Sequence, residues 1–150
     1  METLAVLAAI GLIYWGRKMN SSDVDTVART LWGEARSEGA EGMQAVANVI
    51  MNRVKDRRWP STPGAVATQK WQFSAWNHND PNRAKLLSVT QSDPAFAMAA
   101  RIAEQAVSGS LADITNGATH YHTRSISVYW AKNATLSAAL GSHLFYTNVA

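Results

Sequence analysis

In the stretch LWGEARSE, residues 31–38, Glu34 stands where an amphipathic helix should carry an apolar side chain. At about 100° per residue, with Val27 at zero, Leu31, Val24, Ala35 and Ala28 fall between about 40° and 100° and form one apolar arc. Asp25, Arg29 and Arg36 fall between about 160° and 200°, on the wet side. Glu34 falls at about −20°, at the edge of the apolar arc. A carboxyl group there loses water, and desolvation raises its pKa. A glutamate tuned upward holds its proton near neutral pH and can donate it, as a general acid must. The bland alternative is a structural carboxylate that accepts hydrogen bonds from a loop or pairs with an arginine.

Two further stretches carry chemistry. QKWQFSAWNH, residues 69–78, places Trp71, Trp76 and Phe73 among the polar side chains of Gln72 and Ser74. Aromatic faces beside planar hydrogen-bonding groups suit sugar rings, which are apolar on the face and polar at the rim; a core-filling loop is the alternative. THYHT, residues 119–123, alternates His120, Tyr121 and His122. On a strand both histidines share one side. That pair could bind zinc or line a groove, but a metal site needs a third ligand, and neither His143 nor His78 has diagnostic spacing.

The elements that must position these residues are mostly helical. The pattern predicts a helix from about Asp23 to Arg36, opened by Ser22 and Asp25 as a capping box with Asp in place of Glu. After Gly39 and Gly42, the sequence MQAVANVIMNRVKD repeats its apolar residues at three-to-four spacing and predicts a second helix. WPSTPG reads as a break. Asp80-Pro81 opens a short helix through Leu87. Asp93 as N-cap, Pro94 at the first position and Ser108-Gly109 as a stop bound another. ATHYHTRSISVYW is β-branched and aromatic, and reads as short strands or extended loop. The expectation is a mainly α single domain with a small β element.

The chain has 150 residues, 47% hydrophobic and 17% charged, which fits one globular core. It has no cysteine, so disulfides and cysteine-based metal sites or nucleophiles are excluded. A formal charge of +3 suits an anionic surface without choosing one. Its basic cluster, Arg53, Lys55, Arg57 and Arg58, comes with no nucleic-acid module and reads as a solvated helix end, so no nucleic-acid partner is expected. Residues 1–20 form a separate apolar segment, ahead of a catalytic domain at 21–150. Leu4 to Trp15 would span about 18 Å as a helix, short of roughly 30 Å of bilayer. Such a stretch suits export, membrane engagement or an interface helix.

VARTLWGEAR, GMQAVANVIMNRV, WPSTPGAVATQKWQFSAW, GATHYHT and ALGSHLFY, in that order, resemble the SleB/CwlJ-type cell-wall hydrolases, a family of spore-cortex lytic enzymes and phage endolysins. The resemblance runs from about Asp23 to Tyr146. It implies a lysozyme-like or transglycosylase-like fold acting on peptidoglycan, with the glutamate of the GEA motif, Glu34, as the catalytic group. It also implies that Gln72, Phe73, Ser74 and Trp76 line the cleft, with His120, Tyr121, His122, Trp130, His143 and Tyr146. One departure is Val128, which stands where family members often have proline two residues before the tryptophan.

A glycosidase ordinarily uses two carboxylates, about 5–5.5 Å apart for retention or roughly 6.5–9.5 Å for inversion. Glu38, Glu41, Asp80, Asp93 and Asp113 offer no compelling partner. A single glutamate suffices for a lytic transglycosylase, in which the muramic 6-hydroxyl closes on C1. The resemblance points the same way. A hydrolytic muramidase and a zinc-dependent N-acetylmuramoyl-L-alanine amidase using His120 and His122 are the alternatives; a non-catalytic wall-binding module is a further one. The expected enzyme needs no cofactor and acts as a monomer on peptidoglycan, in the cell envelope or periplasm after export or release. Residues 4–15 could tether it transiently to a membrane.

Overall fold

The computed structural model describes residues 20–70 and 72–150. The apolar stretch 4–15 and Trp71 lie outside the described residues. Among the described residues the α-helices run in order: α1 Ser21–Ala35, α2 Gly39–Lys55, α3 Pro63–Ala67, α4 Arg83–Ser88 and α5 Pro94–Ser108. The strands β1 His120–Thr123, β2 Thr135–Leu140 and β3 His143–Thr147 follow. They form one antiparallel sheet in the order β1-β3-β2. The domain is mainly helical with a small β element, as the sequence predicts.

Local chemistry explains most boundaries. Asp93 caps α5 by accepting the Phe96 N–H at 3.1 Å, Pro94 opens the helix, and Gly109 ends it in the left-handed region. At α1 the cap differs from the expected one. Asn20 Oδ1 accepts the N–H groups of Ser22 (3.0 Å) and Asp23 (3.4 Å). Asp25 pairs instead with Arg29 at 2.9 Å, so Ser22 and Asp25 form no capping box. Helix α2 begins at Gly39, earlier than predicted, and runs through Gly42. There a Cβ on Gly42 would collide with Glu38 Cβ, so the glycine lets the preceding 3₁₀ turn, Arg36–Glu38, fold tightly against the helix. Helix α4 starts at Arg83 because Asp80 first makes a turn, accepting the Asn82 N–H at 2.8 Å.

The main core joins α1, α2 and α5 through Val27, Leu31, Met43, Val46, Ile50, Phe96 and Ala103. A smaller cluster of Ala45, Val49, Ala118 and Phe145 fastens the sheet to the other side of α2. The β2–β3 turn at Gly141 and Ser142 is held to the helical body by Glu38, whose carboxylate accepts the Ser142 hydroxyl and N–H. Removing the Asn20 cap by Asn20→Ala should destabilise the fold by about 1 kcal/mol. Ser22→Ala should stay within about 0.5 kcal/mol of wild type. Urea unfolding of both variants checks the assignment of the cap.

Candidate functional site

Glu34 sits in the last turn of α1, half-buried. Three groups from distant parts of the chain meet it. The Tyr121 hydroxyl, on β1, donates to Glu34 Oε2 at 3.2 Å. The Ala75 backbone N–H, in the 3₁₀ turn Ser74–Trp76, donates to the same carboxyl group. Asp80 contributes negative charge. Burial raises the Glu34 pKa above its ordinary 4.5 and is the largest influence; the two hydrogen bonds pull it back in part, and Asp80 pushes it up again. The Tyr121 phenol is itself pushed well above its ordinary range by burial and by the neighbouring carboxylate, so it remains a donor.

The close approach that creates this site depends on Gly33. A Cβ there would stand 3.1 Å from Ala75 Cβ and 3.1 Å from Leu86 Cδ1. Glycine thus lets the Ser74–Trp76 turn lie near α1, within reach of Glu34. The Trp76 indole N–H ties that turn down by donating to buried Thr30 Oγ1 at 2.8 Å. Trp76 is half-buried and packs against the main core. Phe73 is only 2% exposed and belongs to that core, so it shapes the loop from beneath. Gln72 and Ser74 are exposed.

Strand alternation divides the remaining expected residues. Tyr121 pairs with Phe145 and Thr123 with His143, so Tyr121, Phe145 and His143 share the face toward α2 and Glu34. His143 meets the Tyr121 ring edge-on at 5.2 Å, and burial lowers its pKa. His120, His122 and Tyr146 lie on the opposite face. There His122 stacks on Tyr146 at 5.3 Å, and Trp130 meets both Tyr146 (5.4 Å) and His120 (5.1 Å). His122 Nδ1 faces the Thr123 carbonyl oxygen at 2.7 Å, which makes Nδ1 the donor. His122 Nε2 lies 3.0 Å from the Tyr146 hydroxyl. Both ring nitrogens are engaged. Among the described residues no group of three His, Cys, Asp or Glu side chains is placed to hold a metal ion.

The other carboxylates have other partners. Glu38 is held below its ordinary pKa by the Ser142 hydroxyl. Asp113 organises its own loop, accepting from the Thr115 N–H and hydroxyl, the Gly117 N–H and Asn52. A cavity of about 280 Å³ opens elsewhere, beside Val24, Ala28, Phe96 and Ala100, and none of its lining residues was expected at the site.

Arg53 corrects the sequence reading. It is not part of a solvated helix end: it is 5% exposed. Its Nε donates to the Thr119 carbonyl at 2.7 Å and its Nη1 to Gln72 Oε1 at 3.1 Å. Its guanidinium lies over the rings of Trp59 (5.4 Å) and Phe73 (5.7 Å). The helical phase carried the signal. With Met43 at zero, Arg53 falls at about −80°, between Val49 at about −120° and Val46 at about −60°. Both valines are buried. Trp59, in the stretch that reads as a break, instead covers the Arg53 guanidinium.

Residues 37–146 match the sequence model of a family described as Cell Wall Hydrolase. Glu34 lies just ahead of that span. The spore cortex-lytic enzyme of Oceanobacillus iheyensis is 38% identical over 56 residues, covering 37% of this chain and 20% of that protein. That of Bacillus subtilis is 34% identical over 56 residues, covering 37% of this chain and 18% of that protein. These matches span about a fifth of the curated relatives' length. The crystal structure of the catalytic domain of the Bacillus cereus SleB protein superposes with a TM-score of 0.70 at 24% identity, covering 87% of this chain and 94% of that one. The catalytic domain of the germination-specific lytic transglycosylase SleB from Bacillus anthracis gives 0.69 at 24% identity, covering 87% and 98%. The fold is that of these domains.

The geometry makes a sign-specific prediction. The Tyr121 hydrogen bond favours ionised Glu34, so Tyr121→Phe should raise the Glu34 pKa further above its ordinary 4.5. A carboxyl-carbon NMR titration reads the midpoint; an unchanged or lower midpoint in the variant would contradict the assignment. The linkage sign follows. A folded pKa above the unfolded value means that stability present below 4.5 is lost as pH rises through the folded pKa. Glu34→Gln escapes that loss. It should melt at or above wild type at neutral pH, with any advantage shrinking below pH 4.5.

Proposed function

The chain belongs to the cell wall hydrolase family, and from that premise we propose that it cleaves the glycan strands of peptidoglycan as a lytic transglycosylase, with Glu34 as the single acid and base. One observation carries this reading: a half-buried glutamate with a raised pKa, held by the Tyr121 hydroxyl and the Ala75 N–H. A glutamate whose burial favours the protonated form can give that proton up in the transition state.

Protonated Glu34 donates to the bridging glycosidic oxygen as the bond from that oxygen to C1 breaks. Positive charge develops at C1 and the ring oxygen. The resulting Glu34 carboxylate then takes the proton of the muramic 6-hydroxyl while O6 bonds to C1. The products are a 1,6-anhydro end and a free 4-hydroxyl, and Glu34 is protonated again. Neither water nor a second carboxylate takes part. Tyr121 and Ala75 fix the carboxyl orientation throughout and stabilise its ionised form between the two proton transfers. The Bacillus anthracis neighbour is a germination-specific lytic transglycosylase, which supports this reaction type.

A muramidase needs a second carboxylate aimed at the far side of C1. Glu38 is bound to Ser142, and Asp80 is engaged by the Asn82 N–H. Its charge on Glu34 keeps Asp80 the better of these two candidates for that role. An amidase would need zinc on His120 and His122, and His122 already spends both ring nitrogens on Thr123 and Tyr146.

In this reading the chain works as a monomer in the cell envelope after export or release, and residues 4–15 engage a membrane transiently. Among the described residues no helix is long and apolar enough to cross a bilayer. Mass spectrometry of digested peptidoglycan should find 1,6-anhydro-muramic ends, and digestion should persist in EDTA. Reducing ends would establish hydrolysis instead. Freed peptides, with activity lost in EDTA and restored by zinc, would establish the amidase.

A further inference from the structure

Arg53 is a cation with an incomplete set of partners. The ion pairs among the described residues are conventional: Arg29 with Asp25 and Arg58 with Asp56. Arg53 is more buried than either arginine, and among the described residues no carboxylate pairs with it. Enclosing a charge without its counterion is costly, and two oxygen acceptors with two ring faces offset that only in part. The bonds to the Thr119 carbonyl and to Gln72 use Nε and Nη1. Nη2 has no hydrogen-bond partner among the described residues. Nor is it sealed: the fully enclosed unpaired polar atoms are Trp32 Nε1, Gln69 Oε1 and Arg83 Nε. Gln72, which holds the guanidinium tip, is exposed. Nη2 therefore keeps a small solvent access at the Gln72 end of an otherwise buried guanidinium.

The surroundings suit an acidic sugar. Trp59 covers the guanidinium and meets His120 at 5.5 Å, and His120 meets Trp130 at 5.1 Å. This half-buried aromatic band begins next to the loop that supplies Ala75 to Glu34. Arg58 also lies over Trp59, at 4.6 Å. The local field is positive: burial, then Arg53 and Arg58, hold His120 at a pKa of about 4 against the opposing pull of Asp56. His120 is therefore neutral near pH 7, and offers a ring face without a competing charge.

Resting on the lytic reading above, we propose that Arg53 is a carboxylate receptor for the glycan strand: its free Nη2 edge pairs with a carboxylate borne by a muramic residue while Trp59, His120 and Trp130 present ring faces to the sugars. Arg53 touches substrate and sets specificity; the proton chemistry stays at Glu34. The carboxylate has two sources, the lactyl group of a bare strand and the peptide stem.

The test compares four substrates: strands with and without peptides, each native and with carboxylates converted to neutral methylamides. A charge-assisted hydrogen bond should give wild type a preference of about tenfold or more in kcat/KM for native strands. Preference among the peptide-free strands assigns the lactyl group; preference confined to peptide-bearing strands assigns the stem. Arg53→Gln should abolish the preference, and Arg53→Lys should keep part of it. Should Arg53→Gln fail to fold, the wild-type ratio and Gln72→Ala, which loosens the guanidinium and should shrink that ratio, decide. Equal wild-type rates on native and neutralised strands, or an undiminished ratio in a folded Arg53→Gln, would overturn the receptor while leaving the lytic reading intact. No cleavage of any strand would overturn both.

Discussion

A carboxyl group at the edge of a helical core is unstable company for its neighbours unless donors meet it. Here they come from sequence positions far apart: Ala75 from the loop after α3 and Tyr121 from β1. Burial raises the proton affinity of Glu34 while the donors keep the ionised form accessible. A residue that must both give and take a proton needs that balance. The helices, the loop and the sheet are arranged around holding it. Gly33 removes the one side chain that would crowd Ala75 and Leu86. Trp76 and Thr30 then fix the loop.

The sheet serves two environments at once. One face places Phe145 in the core against α2 and aims Tyr121 at Glu34. The other carries His120, His122, Trp130 and Tyr146 in mutual ring contact. A one-residue slip in register would exchange these faces and withdraw the donor from Glu34. Glu38 guards against this at the far end by gripping Ser142 in the β2–β3 turn, where Gly141 adopts a positive φ.

Much of this was legible in the sequence because it is local. The three-to-four spacing of apolar residues marks α1, α2 and α5, and Asp93, Pro94 and Gly109 mark the ends of α5. Helical phase marks Glu34 as out of place, the GEA motif of the resemblance marks it as catalytic, and the structure does bury it in part. The same test applied to Arg53 would have placed it on the buried arc, but its charge and its basic neighbours suggested a wet helix end. Strands β2 and β3 went unread because TLSAAL and HLFYT lack a clean alternation, and a bulge between Leu136 and Ala138 interrupts the register. The Asn20 cap was missed for a competing pattern two residues on. The Tyr121–Glu34 contact joins residues 87 apart, and no local rule reaches that far.

The account stands on the proton of Glu34, and replacing its carboxyl by an amide of nearly the same shape is the most direct trial. Glu34→Gln should give an unchanged circular dichroism spectrum and lyse isolated peptidoglycan at least a few hundredfold more slowly, within the roughly 10²–10⁴ that general acid catalysis supplies. A folded variant that clears the wall at the wild-type rate would contradict it.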